Sequence, residues 1–146
     1  SQQLWQTDIQ LQNKVALTNS DYIDAHPRFS PTGNRLAFTS TRSGNFDIYR
    51  MAADGSAMLQ LTDHPGIDTR PAWSPDGLKI AYTSLIQGNY EIFVMNADGS
   101  HQKQITTNPG KDDFACWHPD GKRVFYVSEV KGKIDIYSTL VEDSTP

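Results

Sequence analysis

Apolar residues along this chain come in short runs of four to eight, rich in Ile, Phe, Tyr, Val and Thr and bounded by Pro, Gly, Asn and Asp. That pattern predicts short β-strands, and helical spacing is nowhere sustained. From Pro71 it resolves into a first strand over 71–73, a tight turn at Ser74-Pro75-Asp76-Gly77, a second strand over 79–84 and a third over 90–95. Pro presets the turn's first central angle and Gly accepts a positive φ, so the turn has a mechanism. Asn96-Ala97-Asp98-Gly99 closes the next hairpin by the same chemistry. A fourth strand over 104–106 then leads to the connector Pro109-Gly110.

This unit recurs. The segment beginning at His26 aligns without a gap on the segment beginning at Arg70, a step of 44 residues, and nearly half of the aligned positions are identical. The same step carries Ser30-Pro31 and Gly33 onto Ser74-Pro75 and Gly77, then onto His118-Pro119 and Gly121. It carries Asp47-Ile48-Tyr49 onto Glu91-Ile92-Phe93 and Asp135-Ile136-Tyr137. Run backwards, it takes Leu61-Thr62 to Leu17-Thr18, so the pattern starts partway through a unit. Four antiparallel strands per unit, repeated in tandem, specify the blades of an all-β propeller. Residues 1–146 are expected to form one partial propeller domain, with repeats at 26–69, 70–113 and 114–146 and a partial blade at 1–25.

The second unit, with Asp68, Pro71, Trp73-Ser74-Pro75-Asp76-Gly77, Gly88-Asn89, Glu91-Ile92 and Asn96-Ala97-Asp98-Gly99-Ser100, resembles the WD-like propeller repeat of the TolB family. Thr32 stands for the turn Asp in the first unit and His118 for the turn Ser in the third. The resemblance covers essentially the whole chain. It implies a non-enzymatic scaffold that binds a protein or peptide, in the periplasm or outside the cell. The same blade also occurs in propellers attached to prolyl-oligopeptidase-like peptidases and in acidic-polysaccharide lyases, so a propeller portion of an enzyme is the alternative.

The strands amount to about three blades, whereas closed propellers have typically four to eight. The chain therefore reads as a fragment of a longer ring or as half of a six-bladed ring completed by a second copy. In the homodimer the strand around Val15 to Thr18 would supply the outer strand of a blade on the partner. One duplication opposes this: Leu4 to Ile9 repeats the third strand that Ile134 to Leu140 already provides.

Charge narrows the partners. Thirteen basic against 17 acidic residues give a net charge of −4, with no Lys/Arg cluster of the kind that binds a nucleic-acid backbone. The apolar runs are too short for a membrane span, and Ser1-Gln2-Gln3 does not begin an intact signal peptide. The aromatics Phe29, Trp73 and Trp117 recur in every unit and are expected to pack between blades. Cys116 takes the register of Arg28 and Ala72 and is expected to be a buried small residue.

The candidate binding residues lie on or beside the first strand of each unit, which lines the channel of a propeller. His26, Arg28 and Arg70 are charged variants there, and an Arg fork could hold a carboxylate of a peptide terminus or an acidic sugar. The leading acids Asp24, Asp68 and Asp112 precede the first strand and would gather near one channel mouth in a closed ring, where oxygen ligands suit calcium. Their other reading is that each caps its own connector. No motif calls for a cofactor. His64 and His101 are expected in solvated loops, and no nucleophile elbow, phosphate loop or zinc spacing is present, so no catalytic residue is assigned.

Overall fold

The computed structural model describes residues 1–8 and 10–141. The expected strand end at Ile9 and the tail of the third repeat lie outside them. Within the described residues the chain is all β and forms an arc of blades, with strands in this order: β1 Trp5–Gln6, β2 Val15–Ala16, β3 Asp24–Phe29, β4 Arg35–Ser40, β5 Asp47–Ala52, β6 Leu59–Gln60, β7 Ile67–Trp73, β8 Lys79–Ile86, β9 Asn89–Asn96, β10 Lys103–Gln104, β11 Lys111–Trp117, β12 Arg123–Val130 and β13 Lys133–Leu140. β3-β4-β5-β6 and β7-β8-β9-β10 are complete four-stranded blades, β11-β12-β13 is a three-stranded one, and β1-β2 is a lone hairpin. The hairpin is the outer half of a blade. Trp5 pairs with Ala16 as Tyr49 pairs with Gln60, one repeat apart.

The turns follow their chemistry. Gly33, Gly77 and Gly121 donate their backbone N–H to Ser30, Ser74 and His118 carbonyls at 2.8, 2.9 and 3.0 Å. In the second blade Ser74 Oγ donates to Asp76 at 2.6 Å. Where Thr32 replaces the acid, Asn34 takes over as acceptor, at 3.1 Å from Ser30 Oγ. The register of the strands is undisturbed by the exchange.

The core is distributed between blades. Ile48 and Leu61 of one blade meet Ile80, Tyr82 and Met95 of the next. Ala81, Ile92 and Val94 in turn meet Trp117, Val124 and Tyr126. Leu4, with Leu17 against it, covers Leu36, Phe38, Tyr49 and Met51 on the first complete blade. Indole N–H groups tie the inner strands across the same seams: Trp73 Nε1 donates to Arg28 O at 2.9 Å and Trp117 Nε1 to Ala72 O at 3.0 Å. Phe29 has no ring N–H to make such a bond, and it is 52% exposed.

Each first strand is longer than the sequence suggests, because a bulge interrupts it. The register slips between Ala25 and Arg28, between Thr69 and Ala72, and between Asp113 and Cys116. His26, Arg70 and Phe114 occupy these bulges with φ of 52°, 54° and 58°. A bulge leaves a residue unpaired, which also accommodates Pro27 and Pro71, neither of which has an N–H to donate.

Candidate functional site

The three bulged inner strands β3, β7 and β11 stand side by side and wall a groove of about 670 Å³. His26, Arg28 and Arg70 all reach it, alongside Phe29, Trp73, Phe114 and Cys116. At the bulges the extra residue turns its side chain toward the neighbouring blade. His26 Nδ1 lies 3.2 Å from Thr69 Oγ1, and Arg70 Nη1 donates to Asp113 Oδ2 at 2.8 Å while its guanidinium covers the Phe114 ring at 4.5 Å. Arg28 points differently. Its Nη1 donates to Pro27 O at 3.0 Å, and the side chain is exposed. The groove is thus a basic patch on an aromatic floor, with Arg28 as its most accessible cation.

Burial, then the charges of Arg70 and Arg28, push the His26 imidazole below its ordinary range, with Asp113 acting in the opposite direction. A histidine with a depressed folded value contributes stability that is present above the unfolded value and fades as pH falls toward the folded one. Replacing His26 with Asn, which tolerates positive φ, should therefore flatten the loss of stability below about pH 6.5. Urea midpoints for the two proteins across pH 5 to 8 would show it; parallel curves would refute it.

Asp24, Asp68 and Asp112 do not join the groove. Each is fully buried inside its own blade, within the first strand, because the strand begins upstream of the bulge and the bulge turns its alternation by one residue. Nor do these acids chiefly cap backbone. Asp24 meets Arg42 Nη2 at 2.9 Å, Asp68 meets His64 Nε2 at 2.9 Å, and Asp112 accepts from Asn108 Nδ2 at 2.6 Å. Among the described residues no three His, Cys, Asp or Glu side chains converge in a cluster suited to a metal ion.

The expectation of a solvated His64 is corrected. Its Nδ1 accepts from Gly66 N at 2.9 Å, and Nε2 lies between Asp68 and Ser84 Oγ, the latter at 3.3 Å. This Ser, His and Asp set is architecture. One repeat later Asn108 accepts from Gly110 N at 2.7 Å and from Ser128 Oγ at 3.4 Å, and it holds Asp112 in the same way. The signal lay in the step of 44, which superposes His64 on Asn108 and Ser84 on Ser128. His101 is exposed, as expected. The expected burial of Cys116 is also corrected: the thiol is free and exposed on the groove, since β11 turns that side chain toward the open side of the arc.

Comparison with known proteins agrees with this architecture. TolB from Acinetobacter baumannii superposes with a TM-score of 0.85 at 24% identity, over 98% of this chain and 36% of that one. The putative TolB from Agrobacterium tumefaciens gives 0.75 at 26% identity, over 87% and 48%. An oligogalacturonate lyase from Vibrio parahaemolyticus shares the fold at a TM-score of 0.66 and 21% identity, over 88% and 36%. The chain thus spans between a third and a half of the length of these proteins. Residues 1–89 match the sequence profile of the TolB beta propeller domain. With more than half of its length so matched, and blades, turns and interblade seams to correspond, this chain belongs to the TolB beta propeller family.

Proposed function

We propose that the chain is a non-enzymatic propeller scaffold whose groove binds an acidic protein segment or peptide. The observation that carries this reading is the groove itself. Two inner strands, β3 and β7, present His26, Arg28 and Arg70 beside Phe29 and Trp73, a donor fork next to apolar surface. Arg28 binds a carboxylate with two parallel N–H groups, and the aromatic floor buries the adjoining side chain. Family membership supports a scaffold role, and the same likeness supports a location in the periplasm or at the cell surface.

Intrinsic fluorescence tests the reading, because Trp73 lines the groove. A triglutamate peptide should perturb the emission saturably, and a triglutamine peptide should not. Arg28→Glu should weaken the interaction at least tenfold, since it replaces attraction by like charge, and added salt should weaken it further. Equal binding of the two peptides, or none at millimolar concentration, would refute it.

The likeness to the oligogalacturonate lyase supports a second reading, a propeller portion of a polysaccharide lyase. Arg28 and Arg70 would suit a uronate as well as a peptide carboxylate. Digalacturonate incubated with the protein separates the two, because elimination creates an unsaturated product that absorbs in the ultraviolet.

A further inference from the structure

The bulges are wired alike at the two seams between β3, β7 and β11. The side chain in one bulge reaches the residue that precedes the next bulge, and that residue in turn meets a second-strand Thr of the earlier blade. At the first seam His26 Nδ1 lies 3.2 Å from Thr69 Oγ1, which is 3.4 Å from Thr39 Oγ1. At the second, Arg70 Nη1 donates to Asp113 Oδ2 and Thr83 Oγ1 donates to Asp113 Oδ1, each at 2.8 Å. The step of 44 residues superposes one trio on the other.

The two trios differ in charge. Ala25, Thr69 and Asp113 share a register, so of the three units only the third places a carboxylate there. The scaffold does not call for it. Thr39 and Thr69 fill the first seam with hydroxyls, and Thr39 Oγ1 also accepts the bulge N–H of Arg70 at 3.3 Å. At the second seam the carboxylate takes over that duty, since Phe114 N donates to Asp113 Oδ1 at 2.7 Å. What Asp113 adds is an anion held against a groove cation. The two side chains keep 21% and 32% of their exposure, so the pair stands at the edge of the solvent and not in the core. Asp113 does not itself line the groove; it acts through Arg70.

We propose that Asp113 is a positioning residue that sets the specificity of the groove to a ligand with a single carboxylate. This rests on the reading of the groove as a site for acidic segments. Arg70 with Asp113 on its Nη1 is a neutral pair toward a ligand, and a carboxylate that approaches the remaining N–H groups meets the like charge of Asp113. Arg28 donates to a backbone carbonyl and keeps its full charge. His26, held below the ordinary imidazole range, is neutral at pH 7. One ligand carboxylate is therefore drawn to Arg28, and a second finds no open cation. The matching ligand is a peptide with one acid beside an apolar residue, and a run of acids gains nothing over it.

Trp73 emission, titrated on the 146-residue chain with acetyl-Gly-Glu-Gly-amide and with acetyl-triglutamate-amide, tests it. The unaltered protein should bind the two within about threefold of each other, the statistical advantage of three acids over one. Asp113→Thr copies the hydroxyls of the first seam and opens Arg70 as a second cation, so it should tighten triglutamate at least about fivefold more than the single-acid peptide. Asp113→Asn, which keeps an acceptor for Thr83 and Phe114 N, should widen the ratio in the same way should the Thr variant not fold. In either variant the NMR titration of the His26 ring protons should move to lower pH, because a carboxylate that favours the imidazolium is gone. A ratio that the variants leave unchanged, an unmoved His26 titration, or a preference of the unaltered protein for triglutamate beyond about tenfold would overturn the proposal and leave the groove an anion site. No binding of either peptide to any of the proteins would overturn both.

Discussion

Replacing Trp117 with Ala is expected to destabilise the fold by about 3–5 kcal/mol, a melting temperature lower by roughly 10 °C for a chain of this size. The indole is nearly buried in the seam between the second complete blade and the three-stranded one, against Ala81, Ile92, Val94, Val124 and Tyr126. It also carries the N–H that reaches Ala72 O at 3.0 Å. Two contributions are therefore lost together, a large cavity and a hydrogen bond between inner strands. Trp117→Phe separates them, because it keeps most of the ring and removes only the hydrogen bond to the Ala72 carbonyl, at about 1 kcal/mol. Thermal denaturation of both variants should rank them in that order. Equal losses would mean that the bond, and not the ring, holds the seam. Trp73 is the weaker case, since it is only partly buried.

The second large effect concerns His64. Asp68 is fully buried, and the imidazole at 2.9 Å is its counter-group. Removing one member of such a pair strands a carboxylate in a medium that solvates it poorly. Because the His64 side chain keeps 29% of its exposure, water relieves part of the cost, and His64→Ala should destabilise by about 2 kcal/mol. His64→Asn provides the control. Asn108 performs this task in the next blade, donating to Asp112 and accepting from Gly110 N, so Asn at 64 should restore most of the loss. Chemical denaturation midpoints for the three proteins decide it. If Ala and Asn are equally damaging, the imidazole does something that the amide cannot, and the architectural reading of this trio fails.

Much of the fold was legible because tandem repetition multiplies every local signal. One Ser-Pro-Asp-Gly turn is a weak observation, but its return at Ser30, Ser74 and His118 with matching strands fixes the blade. What periodicity could not show was which side of a strand a repeated residue faces. Asp24, Asp68 and Asp112 looked like connector acids because the strands were read as starting after the bulges. The bulges add a residue and turn the alternation, and the acids end inside the blades. Proline gave the hint at positions 27 and 71, since a strand that tolerates a residue without an N–H has an unpaired step there. His64 was missed because its partners are 4 and 20 residues away, at Asp68 and Ser84, and become neighbours only through the blade's fold. Cys116 was misjudged for the opposite reason. The small-residue register of Ala72 suggests packing, yet both positions line the groove. The groove's basic lining was legible as a list of charged variants; the tethering of Arg70 to Asp113 was not, because it joins inner strands of different blades, β7 and β11, 43 positions apart along the chain.

The left-handed bulge residues separate recognition from folding. At positions 26, 70 and 114 the scaffold requires a backbone conformation and leaves the choice of side chain nearly open, and the chain places His, Arg and Phe there in turn. The β-branched residues are poorly suited to positive φ, and proline, with its φ fixed at a negative value, is excluded. These three positions form a small substitution alphabet for the groove, through which the descendants of this arc could acquire a new ligand preference while the ladders behind them stay as they are.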